Sequence, residues 1–331
     1  MFFSDTESID VTETAPQWQR LVPENNDEFD VIVIGAGPAG MSAAICAARA
    51  DLKTLVVEKA LPGGECSTAC EITNYVGHPK KILGAQLSLQ MEEQLFEHAV
   101  YYTCETVVDF INWQAPLKSI ATALGNMYRT KTIILAIGLE PKKLQASFEE
   151  QFMGRGVSYY AQANPTLYTD KNVVVIGGGN CACYAADYLS KYVNHVYMVH
   201  NYDTLRAVKT LKKTIEANAA ITLMWHSKVT NVLGVDSVER VCTQNTITGQ
   251  STWLDAKGVF IYIGRVPPQD IVRFDLDLDE DGFIITDAYM RTNIPGVYAA
   301  GDIRSKQVRQ IATAVSDGMV AAINIERDYF R

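Results

Sequence analysis

Two stretches of the chain share one pattern of apolar and polar positions. In the first, Phe29–Lys59, four consecutive apolar residues (Val31–Ile34) run into G-x-G-x-x-G, then a small-residue segment, then "TLVVE", Thr54–Glu58. A short unbroken apolar run bounded by glycines predicts a buried strand. Small residues after a glycine turn predict a helix packed close against it. The second stretch, Asn172–Asp203, repeats strand, G-x-G-x-x-A, helix, strand about 140 residues further on. The pair predicts an α/β protein with two Rossmann-like, three-layer dinucleotide-binding domains.

Three further apolar runs end in glycine: Thr132–Gly138, Gly258–Gly264, and Val297–Ala300 before Gly301-Asp302, with a helix opening around Arg309–Ile311. The first two each close one nucleotide domain and hand the chain to the other. The expected layout is an N-terminal arm (1–28), a discontinuous first domain (29–148 and 272–331), and a second domain (149–271) inserted into it.

The longest uncharged run, Val31–Ala48, is broken after four residues by Gly35, Gly37, Pro38 and Gly40, so it predicts strand, turn and helix rather than a membrane span. The arm is acidic (Asp5, Glu7, Asp10, Glu13) and lacks the basic start and apolar core of a secretory signal, which reads as a cytoplasmic protein. A net charge of −9 argues against a general nucleic-acid binder and against docking on anionic membrane. Seven cysteines in 331 residues do not make a disulfide scaffold. Cys46, Cys104 and Cys242 read as buried or silent thiols. Two close pairs remain, Cys66 with Cys70 and Cys181 with Cys183.

The first glycine turn follows a strand, opens a helix, and has an acid, Glu58, 18 residues after its last glycine. Glycines allow close backbone approach to a pyrophosphate, and the helix N-terminus offers oriented N–H groups. Glu58, at the end of the second strand, can accept from ribose hydroxyls. FAD rather than NAD follows from the C-terminal landmark. Asp302 can anchor a ribityl or pyrophosphate-side hydroxyl, and the helix near Gln310 points its positive end at a planar ring.

Taken together, "GAGPAG", "GGE…EITNYVG", "GRGVS", "VVVIGGGN", "IYIG" and "NIPGVYAAGD…RQI" resemble the low-molecular-weight thioredoxin reductase family of flavoproteins over nearly all the chain. The resemblance implies FAD on Gly35, Gly37, Pro38, Ala39, Gly40, Glu58, Lys59, Gly64, Glu65, Asn74, Gly138, Gly301, Asp302, Arg309, Gln310, Ile311 and Ala312. It also implies a homodimer, and a domain that rotates during the working cycle.

The second domain departs from that family. After "GRGVS" the family carries C-x-x-C and an acid; those positions here are Tyr160, Ala163 and Asn164, none of which can cycle through a disulfide. The family's NADPH-reading arginine doublet is replaced by Asn201 and Tyr202, and Arg206 remains, so NADPH is an unlikely cofactor. The turn at Gly177, Gly179 and Asn180 survives. It is either an empty relic or the seat of a different nucleotide or a second flavin, with Tyr159 and Tyr160 offering flat faces for stacking. Cys181 and Cys183 read as buried helix thiols, because side chains at i, i+2 do not face each other.

Cys66 and Cys70 stand where the thioredoxin reductase family is rich in Thr, along the flavin ring. On a continuous helix, cysteines four apart share one face and with slight distortion can pair. The larger glutathione-reductase-like flavoproteins carry a C-x-x-x-x-C pair after a Gly-Gly at nearly this place. By that likeness Cys70 contacts the flavin as a lowered-pKa thiolate, and Cys66 exchanges with a partner disulfide that Cys70 resolves. His78 is the nearest proton-handling candidate, though a surface role before Pro79 is the plainer reading. The combination also resembles the cyanobacterial diflavin-linked disulfide oxidoreductases, which implies a second flavin.

The expected activity is therefore that of an FAD-dependent, thioredoxin reductase-like oxidoreductase with a redox disulfide, acting on a thioredoxin-like or small disulfide substrate. The alternatives are an electron-transfer flavoprotein of the ferredoxin–NAD(P) reductase kind and a non-catalytic flavin-binding protein. With NADPH in doubt, a ferredoxin-type donor fits the small basic clusters Lys80-Lys81, Lys142-Lys143 and Lys209–Lys213, which otherwise read as solvated faces.

Overall fold

The computed structural model describes residues 20–162, 165–268 and 275–331. The 271/272 boundary, Ala163, Asn164 and most of the arm lie outside the described residues.

The first unit is built on β1 (Glu28–Ile34), β2 (Thr54–Glu58), β3 (Val100–Cys104), β4 (Val107–Ile111), β5 (Lys118–Thr122) and β6 (Met127–Leu135). Their order is β3-β2-β1-β6-β5-β4, parallel from β3 to β6 and antiparallel beyond. The segment that returns at the C-terminal end supplies one more strand, Val297–Ala299, parallel to the second half of β6. β1 and β2 are mostly buried and carry unbroken apolar runs, Val31–Ile34 and Leu55–Val57, because both faces of a parallel sheet are covered. Helices α1 (Pro38–Arg49), α2 (Gly64–Ser67) and α3 (Gly84–Phe96) follow the strands, and a long C-terminal helix, Ile311–Tyr329, crosses α1. Pro38 starts α1, where its missing N–H costs nothing. At Gly318 the two helices touch backbone to backbone; a Cβ there would strike the Ala39 carbonyl oxygen.

A minimal ribbon joins the units. β7 (Glu140–Pro141) carries the chain out, and it pairs antiparallel with Arg265–Val266, which carries the chain back.

Between these crossings lies the second unit. α4 (Ser147–Phe152) leads into β8 (Val157–Ser158), β9 (Asn172–Ile176), α5 (Asn180–Leu189), β10 (His195–Val199), α6 (Lys209–Ala217) and β11 (Ile221–Met224). An antiparallel meander follows, β12 (Ser227–Leu233), β13 (Arg240–Asn245) and β14 (Ser251–Asp255), and then β15 (Gly258–Ile261). The parallel sheet runs β11-β10-β9-β15-β8. α5 and α6 cover one face, and α4 with the meander covers the other. The three remaining elements are β16 (Arg265–Val266), β17 (Val297–Ala299) and α7 (Ile311–Tyr329). The expected fold class, two Rossmann-like three-layer units with the second inserted in the first, is the observed one.

Candidate functional site

Each glycine turn stands at the C-terminal end of an inner strand of its sheet, the first after β1 and the second after β9. In the first, Gly35 adopts φ +102°, and a Cβ there would strike the Ala136 carbonyl oxygen. Gly40 is closed off by the Gly35 carbonyl oxygen. Gly37, the N-cap of α1, has nothing within 4 Å of the position its Cβ would take. Two glycines thus build the turn and the third keeps open space at the helix N-terminus, led by Pro38 and Ala39. Gly63 donates to the Ala36 carbonyl at 2.8 Å, and a Gly64 Cβ would lie 3.2 Å from Gly37 Cα, so the start of α2 borders that space. Gly138, at φ +60°, also faces open space. Glu58 is buried, with one oxygen accepting from Ala36 N–H at 2.7 Å and the other from Ala60 N–H at 3.0 Å. Lys59 points outward and pairs with Glu140 at 3.1 Å.

Against the start of α1, where a Gly301 Cβ would lie 2.8 Å from Ala39 Cβ, Asp302 sits in a single tight helical turn over Gly301–Ile303. Its Oδ1 is buried and has no hydrogen-bond partner. Burial pushes its carboxyl above the usual carboxylate range, against the pull of Lys306 and Arg309. The turn is braced from behind by Asp317, which accepts from Gly301 N–H at 3.1 Å and pairs with Arg304 at 2.9 Å and Lys306 at 2.8 Å. Gln310 caps α7 ahead of Ile311 and Ala312, and accepts from the Asn74 amide at 2.9 Å. Arg309 turns away from the cleft. Its guanidinium donates to the carbonyls of Asp302 and Arg304 and lies 3.9 Å from the Phe283 ring centroid.

The cysteines correct the expected geometry. α2 ends at Ser67, so Cys66 and Cys70 do not share a helical face. The Ser67 and Thr68 hydroxyls donate back to the carbonyls of Gly64 and Glu65, at 2.7 and 2.9 Å, and the turn closes with i to i+3 bonds at Thr68 and Ala69. Such side chains compete with helix continuation. Both cysteines are free thiols. Cys66 is 4% exposed, packed with Ile72 and Leu87, its sulfur 3.9 Å from the Gly84 carbonyl. Cys70 faces the other way and accepts from Gln162 Nε2 of the second unit at 2.7 Å. Burial raises the Cys66 thiol and pushes Cys70 up to about 12, with the Cys181 charge adding to the latter. Neither is the lowered-pKa thiolate expected, and Cys66 is too enclosed to meet a protein disulfide. His78 stacks on Tyr75 at 6.0 Å, part-buried.

Around Cys70 the two units meet. Glu65 forms an ion pair with Arg265. Although about half of its side chain stays open (48%), crowding by both units lifts its carboxyl to about 7 against the pull of Arg265. Ala161 N–H donates to the Tyr262 hydroxyl at 2.9 Å. The Tyr262 carbonyl in turn closes off Gly177. Cys183 lies in the apolar core as expected, but Cys181, one helical step earlier, is exposed. Reading the two only as a pair missed this; the first turn of a helix after a glycine turn faces the ligand cleft, and that signal singles out Cys181.

In the second turn, Gly178 lies over the buried His200 ring, and Asn180 Oδ1 accepts from Val208 N–H at 2.9 Å. Asn201 and Tyr202 are exposed, with the Arg206 guanidinium 4.1 Å from the Tyr202 ring centroid. Tyr159 does not offer a free face: its ring packs in the core beside α4 and its hydroxyl donates to Glu149. Tyr160 is 37% exposed. Among the described residues no group of His, Cys, Asp or Glu could hold a metal ion, and no helix is long and apolar enough to cross a membrane.

Two dinucleotide-type turns in one chain, with a cysteine where the two units meet, fit flavin-dependent oxidoreductases acting on a sulfur group, and the relatives below place the chain in that class. The family profile described as pyridine nucleotide-disulphide oxidoreductase matches residues 29–318, and the chain belongs to that family as a thioredoxin reductase-like member. It is 39% identical over 306 residues to the thioredoxin reductase of Listeria innocua, covering 90% of this chain and 93% of that one. Among solved structures it is similar to thioredoxin reductase from Lactococcus lactis in the FR conformation, with 38% identity, TM-score 0.86, and coverage of 90% and 98%. The enzyme from T. acidophilum also gives TM-score 0.86 at 32% identity, with coverage of 92% and 100%.

Proposed function

We propose that the protein binds FAD in the first turn and passes electrons between it and a Cys66–Cys70 disulfide, serving a thioredoxin-like or small disulfide substrate. The observation that carries this reading is the pairing of an open helix N-terminus at Gly37 with a buried Asp302 Oδ1 that has no hydrogen-bond partner and only a 3.8 Å ion pair to Lys306. A pyrophosphate would take the first and a ribityl or phosphate-side hydroxyl the second. When bound, the flavin supplies a two-electron carrier. Gly35–Gly40 and Glu58 would hold its adenosine half. Gly64, Glu65, Asn74, Gly138 and the Gln310–Ala312 helix start would border the ring. Pairing of the two sulfurs requires Cys70 to leave Gln162 and the short turn at Thr68 to open.

Asn201 and Tyr202 give a 2′-phosphate no positive charge, so the donor is read as a ferredoxin-type protein rather than NADPH. The turn at Gly177, Gly179 and Asn180, with Tyr160 nearby, is read as the seat of a second nucleotide or flavin. The reading also takes the protein as a cytoplasmic homodimer.

The test is flavin release and quantitation per chain, then anaerobic reductive titration. With Cys181→Ser in both proteins, a working pair makes the one that keeps Cys66 take up more reducing equivalents than the one carrying Cys66→Ser, by one dithiol per chain. Equal uptake by the two proteins sinks the assignment.

A further inference from the structure

We propose that Cys181 is a third exchanging thiol, which passes reducing equivalents from the enclosed Cys66–Cys70 pair to the exposed first turn of α5. This rests on the Cys66–Cys70 reading above.

The three sulfurs form a series in exposure: Cys66 is buried, Cys70 half-buried and Cys181 exposed. An enclosed pair needs an outlet, since exchange requires a thiolate to reach a disulfide sulfur in line. Cys70 already points out of its own unit. It accepts a hydrogen bond from Gln162 of the second unit. From Gln162 a short path leads to Cys181. Ala161 bonds the Tyr262 hydroxyl, the Tyr262 backbone closes the Gly177 turn, and that turn opens α5, whose second residue is Cys181. Ionised Cys181 would raise the Cys70 thiol further, and either thiolate would raise the Tyr262 hydroxyl. The Glu65–Arg265 ion pair holds the two units together beside them; burial chiefly raises the Cys181 thiol, Glu65 adds to that rise and Arg265 opposes it. Cys183 takes no part, because it lies in the core on the far side of the helix.

The steps balance without an outside oxidant other than the disulfide substrate. The Cys181 thiolate attacks one substrate sulfur, forming a mixed disulfide, and its proton goes to the first departing thiol. The Cys70 thiolate then attacks Cys181 Sγ, releasing the second substrate thiol with the Cys70 proton and leaving a Cys70–Cys181 disulfide. Cys66 attacks Cys70 Sγ, its proton passes to Cys181, and the Cys66–Cys70 disulfide is ready for reduction. Two electrons and two protons have passed to the substrate.

The test uses the full, flavin-loaded chain with Cys66→Ser, which strands the bond at the second stage. After reduction and treatment with one equivalent of dithiobis(nitrobenzoate), non-reducing digestion and mass spectrometry should find the Cys70 and Cys181 peptides joined. Cys181 recovered as a free thiol or as an aromatic adduct, with no joined peptide, overturns the proposal. In a separate assay, Cys181→Ser should slow turnover of a protein disulfide by about tenfold or more; an unchanged rate overturns it as well. The joined peptide forms without Cys66 or flavin reduction. Its absence is therefore distinguishable from failure of the Cys66–Cys70 assignment, which the reductive titration reads.

Discussion

Gln162 Nε2 donates to Cys70 Sγ at 2.7 Å, so a side chain of the second unit covers a sulfur of the first. Burial is the main reason the Cys70 thiol is pushed up to about 12. A raised thiol pKa leaves little thiolate at neutral pH, and thiolate is the reactive form. Alkylation of Cys70 in the reduced protein should therefore climb about tenfold per pH unit from pH 8 upward. Gln162→Ala should raise the pH 8 rate by roughly three- to tenfold by opening the sulfur to water. The modified Cys70 peptide reads both; equal rates in variant and parent would show that Gln162 does not cover it.

Gly37 and Gly40 separate binding from folding. Gly37→Val points into open space at an ordinary backbone conformation, so the flavin-free protein should melt within a few degrees of the parent while bound flavin per chain falls about tenfold or more. Gly40→Ala drives a methyl into the Gly35 carbonyl and should cost about 3 kcal/mol or more, seen as loss of the folded protein by circular dichroism.

Asn201 and Tyr202 are exposed, so substitution there should be tolerated. Asn201→Arg with Tyr202→Arg should tighten NADPH binding by about tenfold or more, since hydrogen bonds to a charged group contribute about 1.5–3 kcal/mol. Fluorescence titration measures it. No gain would mean that the turn at Gly177 no longer receives a pyrophosphate.

Asp328 ties the end of α7 to the first unit. It accepts from Arg291 at 2.7 and 2.9 Å and from the Tyr298 hydroxyl at 2.8 Å. These donors, Arg291 foremost, hold its carboxyl at about 2, below the ordinary carboxylate value. A depressed carboxylate contributes stability above its unfolded pKa of about 3.9 and loses it as pH falls through the folded value. Asp328→Asn should be less stable than the parent at pH 5, and the gap should close between about pH 4 and 2 in urea melts.

Much of this was legible in the sequence because it depends on local pattern. Unbroken apolar runs bounded by glycine gave both glycine turns, Glu58 at a strand end, and the start of α7 at Ile311. The miss at Cys66 and Cys70 was also local: Ser67 and Thr68 turn their hydroxyls onto the preceding turn and end the helix before the second sulfur. The contacts of Cys70 with Gln162 and of Glu65 with Arg265 are of another kind. They join residues about 90 and 200 positions apart, across units whose relative placement no local periodicity records.

That placement is governed by the ribbon of Glu140–Pro141 and Arg265–Val266, reinforced where Lys142 N–H donates to the Gly264 carbonyl at 3.0 Å. Both passages of the chain run through one narrow tether. Cys70 and Cys181 lie on either side of this tether in one chain, so the proposed exchange draws on a local concentration on the order of millimolar. Exchange between these two sulfurs is then unimolecular: dilution leaves its rate constant untouched, while every competing reaction with an external disulfide slows in proportion.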